Sequence, residues 1–194
     1  LLSARFIVTP AQIQLRAQGF PEAFALEGVR LYENPTALPW FRLVAGAEVI
    51  DREPRILEAL RDGSVDLATT AILEEPPPLL LPGAEADRAG DGVRVVAYDD
   101  HDGIVRVRVQ AGGPRLLVVS DNYHPNWRAT VDGQAARVLR ADYVWKAVAV
   151  PGGDHAVELT YHSAPVALSR VISAVSAAVV LAYLPSLRGG FLNW

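Results

Sequence analysis

In the second half of the chain apolar and polar residues alternate with a period of two. Val105, Val107 and Val109 alternate with Arg106, Arg108 and Gln110, and Val157, Leu159 and Tyr161 alternate with Glu158 and Thr160. Successive side chains of an extended backbone point to opposite faces, so this pattern predicts half-buried antiparallel strands. Leu116–Val119 is continuously apolar and predicts a central strand covered on both faces. Asp132-Gly133 suits a two-residue type I′ turn, whose central residues both need positive φ, and predicts a hairpin pairing Trp127–Val131 with Gln134–Leu139. Pro151-Gly152-Gly153 predicts the next turn, between strands Tyr143–Val150 and His155–Tyr161. About seven strands at this spacing, with no helix between them, read as an antiparallel β-sandwich, jelly-roll-like, over residues 93–163.

The first 73 residues have a different pattern. Arg5–Thr9, Gly28–Tyr32 and Trp40–Ile50 carry β-branched and aromatic residues in short runs that predict strands. Asp51 is placed to cap a helix with Ile56, Leu57 and Leu60 on one face, ending at Asp62-Gly63, and Thr69–Leu73 predicts one more strand. Residues 1–73 therefore read as a small α+β unit. Between the two patterns, residues 74–92 hold four Pro and five acidic residues without periodicity and read as a linker or long loop.

Beyond the last strand, residues 166–184 read VALSRVISAVSAAVVLAYL, in which only three Ser and Arg170 are not apolar. As a helix this stretch is roughly 28 Å long, close to the hydrocarbon thickness of a bilayer. It predicts a transmembrane helix within 165–187, contacting lipid through 166–184. Arg170 snorkels to the headgroups in this reading, and a buried amphipathic helix is the competing one. Ser169, Ser173 and Ser176 form a small-residue stripe that lets another transmembrane helix approach.

Composition narrows the functions. The 194 residues are 51% apolar with a formal charge of −4, enough to bury a core and without the basic surface that nucleic acid requires. With no Cys there is no disulfide scaffold, thiolate metal site or cysteine nucleophile. Lys occurs once, at Lys146, against seventeen Arg, which reads as the bias of a GC-rich genome. No secretory signal opens the chain and Met is absent, so it reads as a piece of a longer protein.

Three clusters carry potential chemistry. Asp99-Asp100-His101-Asp102 offers oxygen and nitrogen ligands, but four consecutive side chains of a strand cannot converge on one ion; with Gly103 it reads as a hairpin loop, and no metal or other cofactor is expected. Ser120, Asp121, His124 and Asp132 are the residue types of a hydrolytic triad, yet no Gly-x-Ser-x-Gly elbow occurs, and no catalytic residue is assigned. Tyr123, His124 and Trp127 surround Pro125, and Tyr143 and Trp145 share a face by the two-residue rule. Aromatic faces beside Asp121 and Asn122 suit sugar recognition, so a weak glycan site is expected at Asp121, Asn122, Tyr123, His124 and Trp145. The competing reading has Trp127 plugging the sandwich core and Tyr123 latching a loop.

Residues 116–133, LLVVSDNYHPNWRATVDG, resemble the motif of YfhO-type bacterial membrane proteins: an apolar strand, Ser-Asp, two aromatic residues, Pro-Gly-Trp and a short strand ending in Asp-Gly. Leu31-Tyr32-Glu33-Asn34-Pro35 is similar to that family's "YEN" segment, and Pro151-Gly152-Gly153-Asp154-His155 to its "PAG.H" turn. Asn126 and His124 depart from the pattern, standing where the family has Gly and a second Tyr or Phe. The resemblance makes Trp127, Asp132, Gly133 and His155 structural motif residues. It implies a polytopic protein related to GT-C class glycosyltransferases, of which residues 1–184 correspond to the extracytoplasmic region and last transmembrane helix. On that basis residues 1–164 lie on the extracytoplasmic side of a bacterial cell membrane. The expected partners are the bilayer, the parent protein's other transmembrane helices, and envelope glycan or polyprenyl-phosphate-linked sugar, with no nucleic acid. The expected role is that of an accessory domain in cell-envelope glycosylation, and a structural or protein-interaction module is the alternative.

Overall fold

The structure is a computed structural model that describes residues 3–99, 103–162, 169 and 172–181. Residues 1–160 form one compact unit and residues 161–194 a second. The first unit is mainly β, in three sheets.

Strands β1 (Phe6–Pro10), β2 (Glu22–Leu26) and β3 (Val29–Glu33) make a three-stranded antiparallel sheet in the order β1-β3-β2. Gly28, at φ 88°, turns the chain between β2 and β3. Tyr32 is buried on one face, whereas Phe6, Val8, Phe24, Leu26 and Val29 are exposed.

The predicted strand Trp40–Ile50 is two strands, β4 (Phe41–Val44) and β5 (Gly46–Val49), joined by Ala45. They occupy opposite ends of a six-stranded sheet, β4-β9-β13-β12-β6-β5. Two residues on, the chain has advanced at most about 7 Å, whereas the edges of a flat six-stranded sheet lie about 24 Å apart. The sheet must therefore curl until its ends meet at Ala45. Its members are β6 (Thr70–Leu73), β9 (Arg115–Asn122), β12 (Val138–Ala141) and β13 (Trp145–Val150) in addition to β4 and β5.

Helix α1 (Glu53–Asp62) joins β5 to β6, which run parallel. A parallel pair needs such a crossover, and it falls within residues 1–73, whereas the strand pairs described within 93–163 are antiparallel as the pattern predicts. Arg52 rather than Asp51 is the N-cap residue and makes no side-chain cap bond. Gly63 at φ 70° ends the helix as expected. Ile56 and Ala59 are buried with Val65, Leu67 and Ile72, whereas Leu57 is exposed.

The third sheet has the order β11-β10-β14-β8-β7. It comprises β7 (Gly92–Asp99), β8 (Ile104–Ala111), β10 (Trp127–Val131), β11 (Gln134–Ala136) and β14 (Gly153–Tyr161). Val105, Val107, Val109, Val157 and Leu159 face Leu43, Leu117, Val119, Val148 and Val150 of the curled sheet, forming the core between them. These five period-two residues thus lie inward as the pattern predicts, whereas Tyr161 at the end of β14 is exposed. Asp132 (φ 51°) and Gly133 (φ 79°) make the hairpin turn, with Val131 opposite Gln134. The expected second strand Gln134–Leu139 breaks after Ala136, because Val138–Ala141 crosses to the other sheet and pairs with β13.

The expected boundary between 1–73 and 93–163 runs through this curled sheet, since β4, β5 and β6 share it with β9, β12 and β13. Residues 74–92 connect strands within one unit. Leu79 and Leu81 pack on a second core inside the curl, with Val44, Leu116, Val118, Leu139 and several Ala.

Among the described residues no helix is long and apolar enough to cross a membrane. Residues 172–181 are helical, and most of the expected span over 165–187 lies outside the described residues. The Asp99–Asp102 loop also lies largely outside them.

Candidate functional site

The expected glycan cluster sits where β9 meets β13. Asn122 is opposite Trp145 and Val119 opposite Lys146, so a β-bulge adds Ser120 and Asp121 to the β9 side. A bulge re-aims the side chains beside it. Here it directs Asp121 to Lys146, with Oδ2 2.5 Å from Nζ, while Oδ1 accepts the Asn122 N–H at 2.7 Å. Lys146 is fully buried, and its ammonium lies 3.1 Å from the centroid of the Trp127 ring. Trp127 is half-buried and packs on the core between the sheets.

The other members diverge. Trp145 is only 9% exposed, faces the core inside the curl, and stacks under the Arg42 guanidinium, whose carbon is 4.9 Å from the ring centroid. Tyr143 lies outside the strand at φ 74°, so it does not share a face with Trp145; its hydroxyl donates to Glu53 at 2.6 Å. The Tyr123 N–H donates to the Val144 carbonyl, and the half-buried Tyr123 is followed by an exposed His124. His124 Nδ1 accepts the Asn126 N–H at 3.1 Å and its carbonyl accepts the Trp127 N–H at 3.0 Å. Asn122, Tyr123 and His124 thus stay near the surface, whereas Asp121 is held by an ion pair and Trp145 is buried.

The structure joins Asp132 and His155, which the sequence places in separate turns. His155 Nδ1 is 2.6 Å from Asp132 Oδ2 and Nε2 is 3.2 Å from the Gly152 carbonyl oxygen. Both partners are acceptors, which suits an imidazolium donating from both nitrogens. The Asp132 bond, more than any other influence, holds the His155 pKa above its ordinary value. Asp132 Oδ1 also accepts the Ala156 N–H at 2.8 Å; this bond first, and His155 second, hold its carboxyl below the usual range. With both nitrogens engaged, His155 is a tie between the β10–β11 turn and β14 rather than a general base. Ser120 is buried and its hydroxyl accepts from Ser3 at 2.7 Å, so the residues of a hydrolytic triad are not assembled.

Two buried ion pairs were not legible in the sequence. Arg42 pairs with Asp142 and donates from Nε to the Leu67 carbonyl, while Asp142 accepts the Ile72 N–H at 2.8 Å. Arg42 Nη1 is buried without a partner. Burial dominates both titrations, lowering the Arg42 pKa and raising that of Asp142. Arg115 pairs with Asp91 at 2.7 Å and donates to the Asp87 carbonyl, which ties residues 74–92 to β9. A charged residue inside the run Phe41-Arg42-Leu43-Val44 is the available signal for the first pair.

These contacts build a fastened β-domain, with no nucleophile–base pair assembled among the candidate residues. Comparisons with protein-family models, with curated proteins and with solved structures gave no match.

Proposed function

We propose that the chain is the extracytoplasmic region, with a membrane anchor, of a YfhO-type polytopic protein in a bacterial cell membrane. In this reading residues 1–164 are an accessory domain supporting lipid-linked sugar transfer in cell-envelope glycosylation, with a jelly-roll-like sandwich as its larger part and no catalytic centre of its own. An apolar helix over 166–184 crosses the bilayer.

The observation that carries the reading is the helix over 172–181. Ile172, Val175, Val179, Val180 and Leu181 are 51–67% exposed there, an apolar surface that suits lipid or neighbouring transmembrane helices better than water. The resemblance to the YfhO motif supports the family assignment, and the Asp132–His155 bond gives two of its motif residues a structural role.

The test compares the full chain with a version ending at Ala164 in liposome flotation. The full chain should float and the shortened one stay in the aqueous phase. Equal behaviour of the two would overturn the membrane assignment.

A structural or protein-interaction module without sugar binding is the second reading. It is favoured by the internal engagement of Asp121 and Trp145. Titration with envelope oligosaccharides to several millimolar, followed by NMR, separates the two: shifts at Tyr123 and His124 support glycan contact, and their absence supports the interaction module.

A further inference from the structure

The face of the β7–β8–β14 sheet turned away from the core carries a row of charges that is matched on one rung and unmatched on the next. Arg106 lies opposite Glu158, and the two are joined at 2.6 Å. Two residues along β8, Arg108 lies opposite Ala156 on β14 and opposite Arg94 on β7. Two exposed arginines therefore stand opposite each other across an antiparallel pair, where directly opposed side chains start about 5 Å apart and like charges repel. Neither forms an ion pair among the described residues, although Arg108 lies near enough to Asp132 to contribute, after Ala156 and His155, to holding its carboxyl below the usual range.

Both arginines line one surface groove with Gly92, Gln110 and Asp154. Ala156 is small on the β14 side of the rung, and Gly92, on the neighbouring rung opposite Gln110, has open space where a side chain would stand, so there is room beside the pair. Asp154 closes the end of the groove on the neighbouring rung, opposite Gln110, and pairs with neither arginine.

We propose that Arg94 and Arg108 form an anion site for a phosphate group, supplied by a free phosphate or by a lipid headgroup. A guanidinium is a planar fork that binds two oxygens of one anion. A carboxylate has only two oxygens and is filled by one fork. A tetrahedral phosphate offers further oxygens to the second fork, and its charge removes the repulsion between the two cations. Gln110, one rung along on the same face, supplies an amide donor at the groove's edge.

The test is thermal unfolding of the full chain in nonionic detergent, in sodium phosphate against sodium chloride of equal ionic strength. At phosphate about tenfold above its dissociation constant the wild-type midpoint should rise by about 3 °C beyond the chloride control. Arg94→Gln and Arg108→Gln should each abolish that excess, and each should raise the midpoint at low salt because the repulsion is gone. A second arm uses the same detergent doped with phosphatidylglycerol or with phosphatidylcholine. An excess shift with phosphatidylglycerol that both variants lose supports the site and assigns a lipid source; a shift with inorganic phosphate alone supports the site and assigns a free anion. No excess shift in either arm, or a shift that survives in both variants, would overturn the proposal.

Discussion

The single lysine of the chain, Lys146, places its buried ammonium 3.1 Å from the centroid of the Trp127 ring. The carboxylate of Asp121 holds it from another side at 2.5 Å. A compact cation on a flexible stem suits a ring face and a carboxylate, whereas a planar guanidinium needs a wider fork of acceptors. The Asp and Trp of the segment that resembles the YfhO motif are therefore joined through a residue outside that segment.

The pair should respond asymmetrically to substitution. Asp121→Ala leaves a fully buried ammonium without this carboxylate and should cost about 2–3 kcal/mol, discounted for the partial exposure of Asp121. Lys146→Met leaves a carboxylate that water reaches, and keeps the apolar stem, so it should cost about 1 kcal/mol or less. Urea denaturation of the two variants measures the order. A larger loss in Lys146→Met would refute it.

Asp132, held by the Ala156 N–H and by His155, should together with His155 produce a stability maximum in mildly acid solution. The His155 pKa is raised, so its contribution is complete below about 6.5 and lost as pH rises through the folded-state value. The Asp132 pKa is lowered, so its contribution is complete above about 3.9 and lost as pH falls through the folded-state value. Both are present between about pH 4 and 6.5. Urea midpoints recorded across pH should fall on the alkaline side in wild type and flatten there in His155→Gln; parallel profiles for the two proteins would show that the bond carries no linkage.

Arg42 and Asp142 form a pair that should be costly to break singly. Asp142→Asn keeps a side chain that tolerates the φ of 47° and an acceptor for Ile72, but leaves the Arg42 charge buried and unpaired. A loss of about 3–5 kcal/mol is expected. The double variant Arg42→Met with Asp142→Asn should recover most of it, since no buried charge remains. Additive losses in the double variant would show that the two residues are not coupled.

Gly152 is required by space. A Cβ there would stand 2.9 Å from the Gly113 Cα, backbone against backbone, where the turn before β14 crosses the turn between β8 and β9. Gly152→Ala should cost about 1–3 kcal/mol. Gly92→Ala, where a Cβ meets nothing within 4 Å, is the control for glycine replacement itself. Equal melting temperatures for the two variants would argue against the close crossing.

What the sequence determined by itself is local. The period of two placed Val105, Val107, Val109, Val157 and Leu159 inward, because strand side chains alternate whatever the strand pairs with. The Asp132-Gly133 turn and the end of α1 at Gly63 followed from residues that tolerate positive φ. Tertiary structure decided what depends on partners distant in the chain. Phe41–Val49 is uniformly strand-like, and only its pairing with β9 at one end and β6 at the other divides it and curls the sheet. Residues 74–92 have a linker's composition, yet Leu79, Leu81 and Asp91 bind them to the core and to Arg115. Trp145 and Asp121 have the composition of a sugar site, but the bulge beside Lys146 turns one to an ammonium and Arg42 covers the other. A residue's type states which contacts it can make; which of them it makes depends on the strand that the curl brings opposite it.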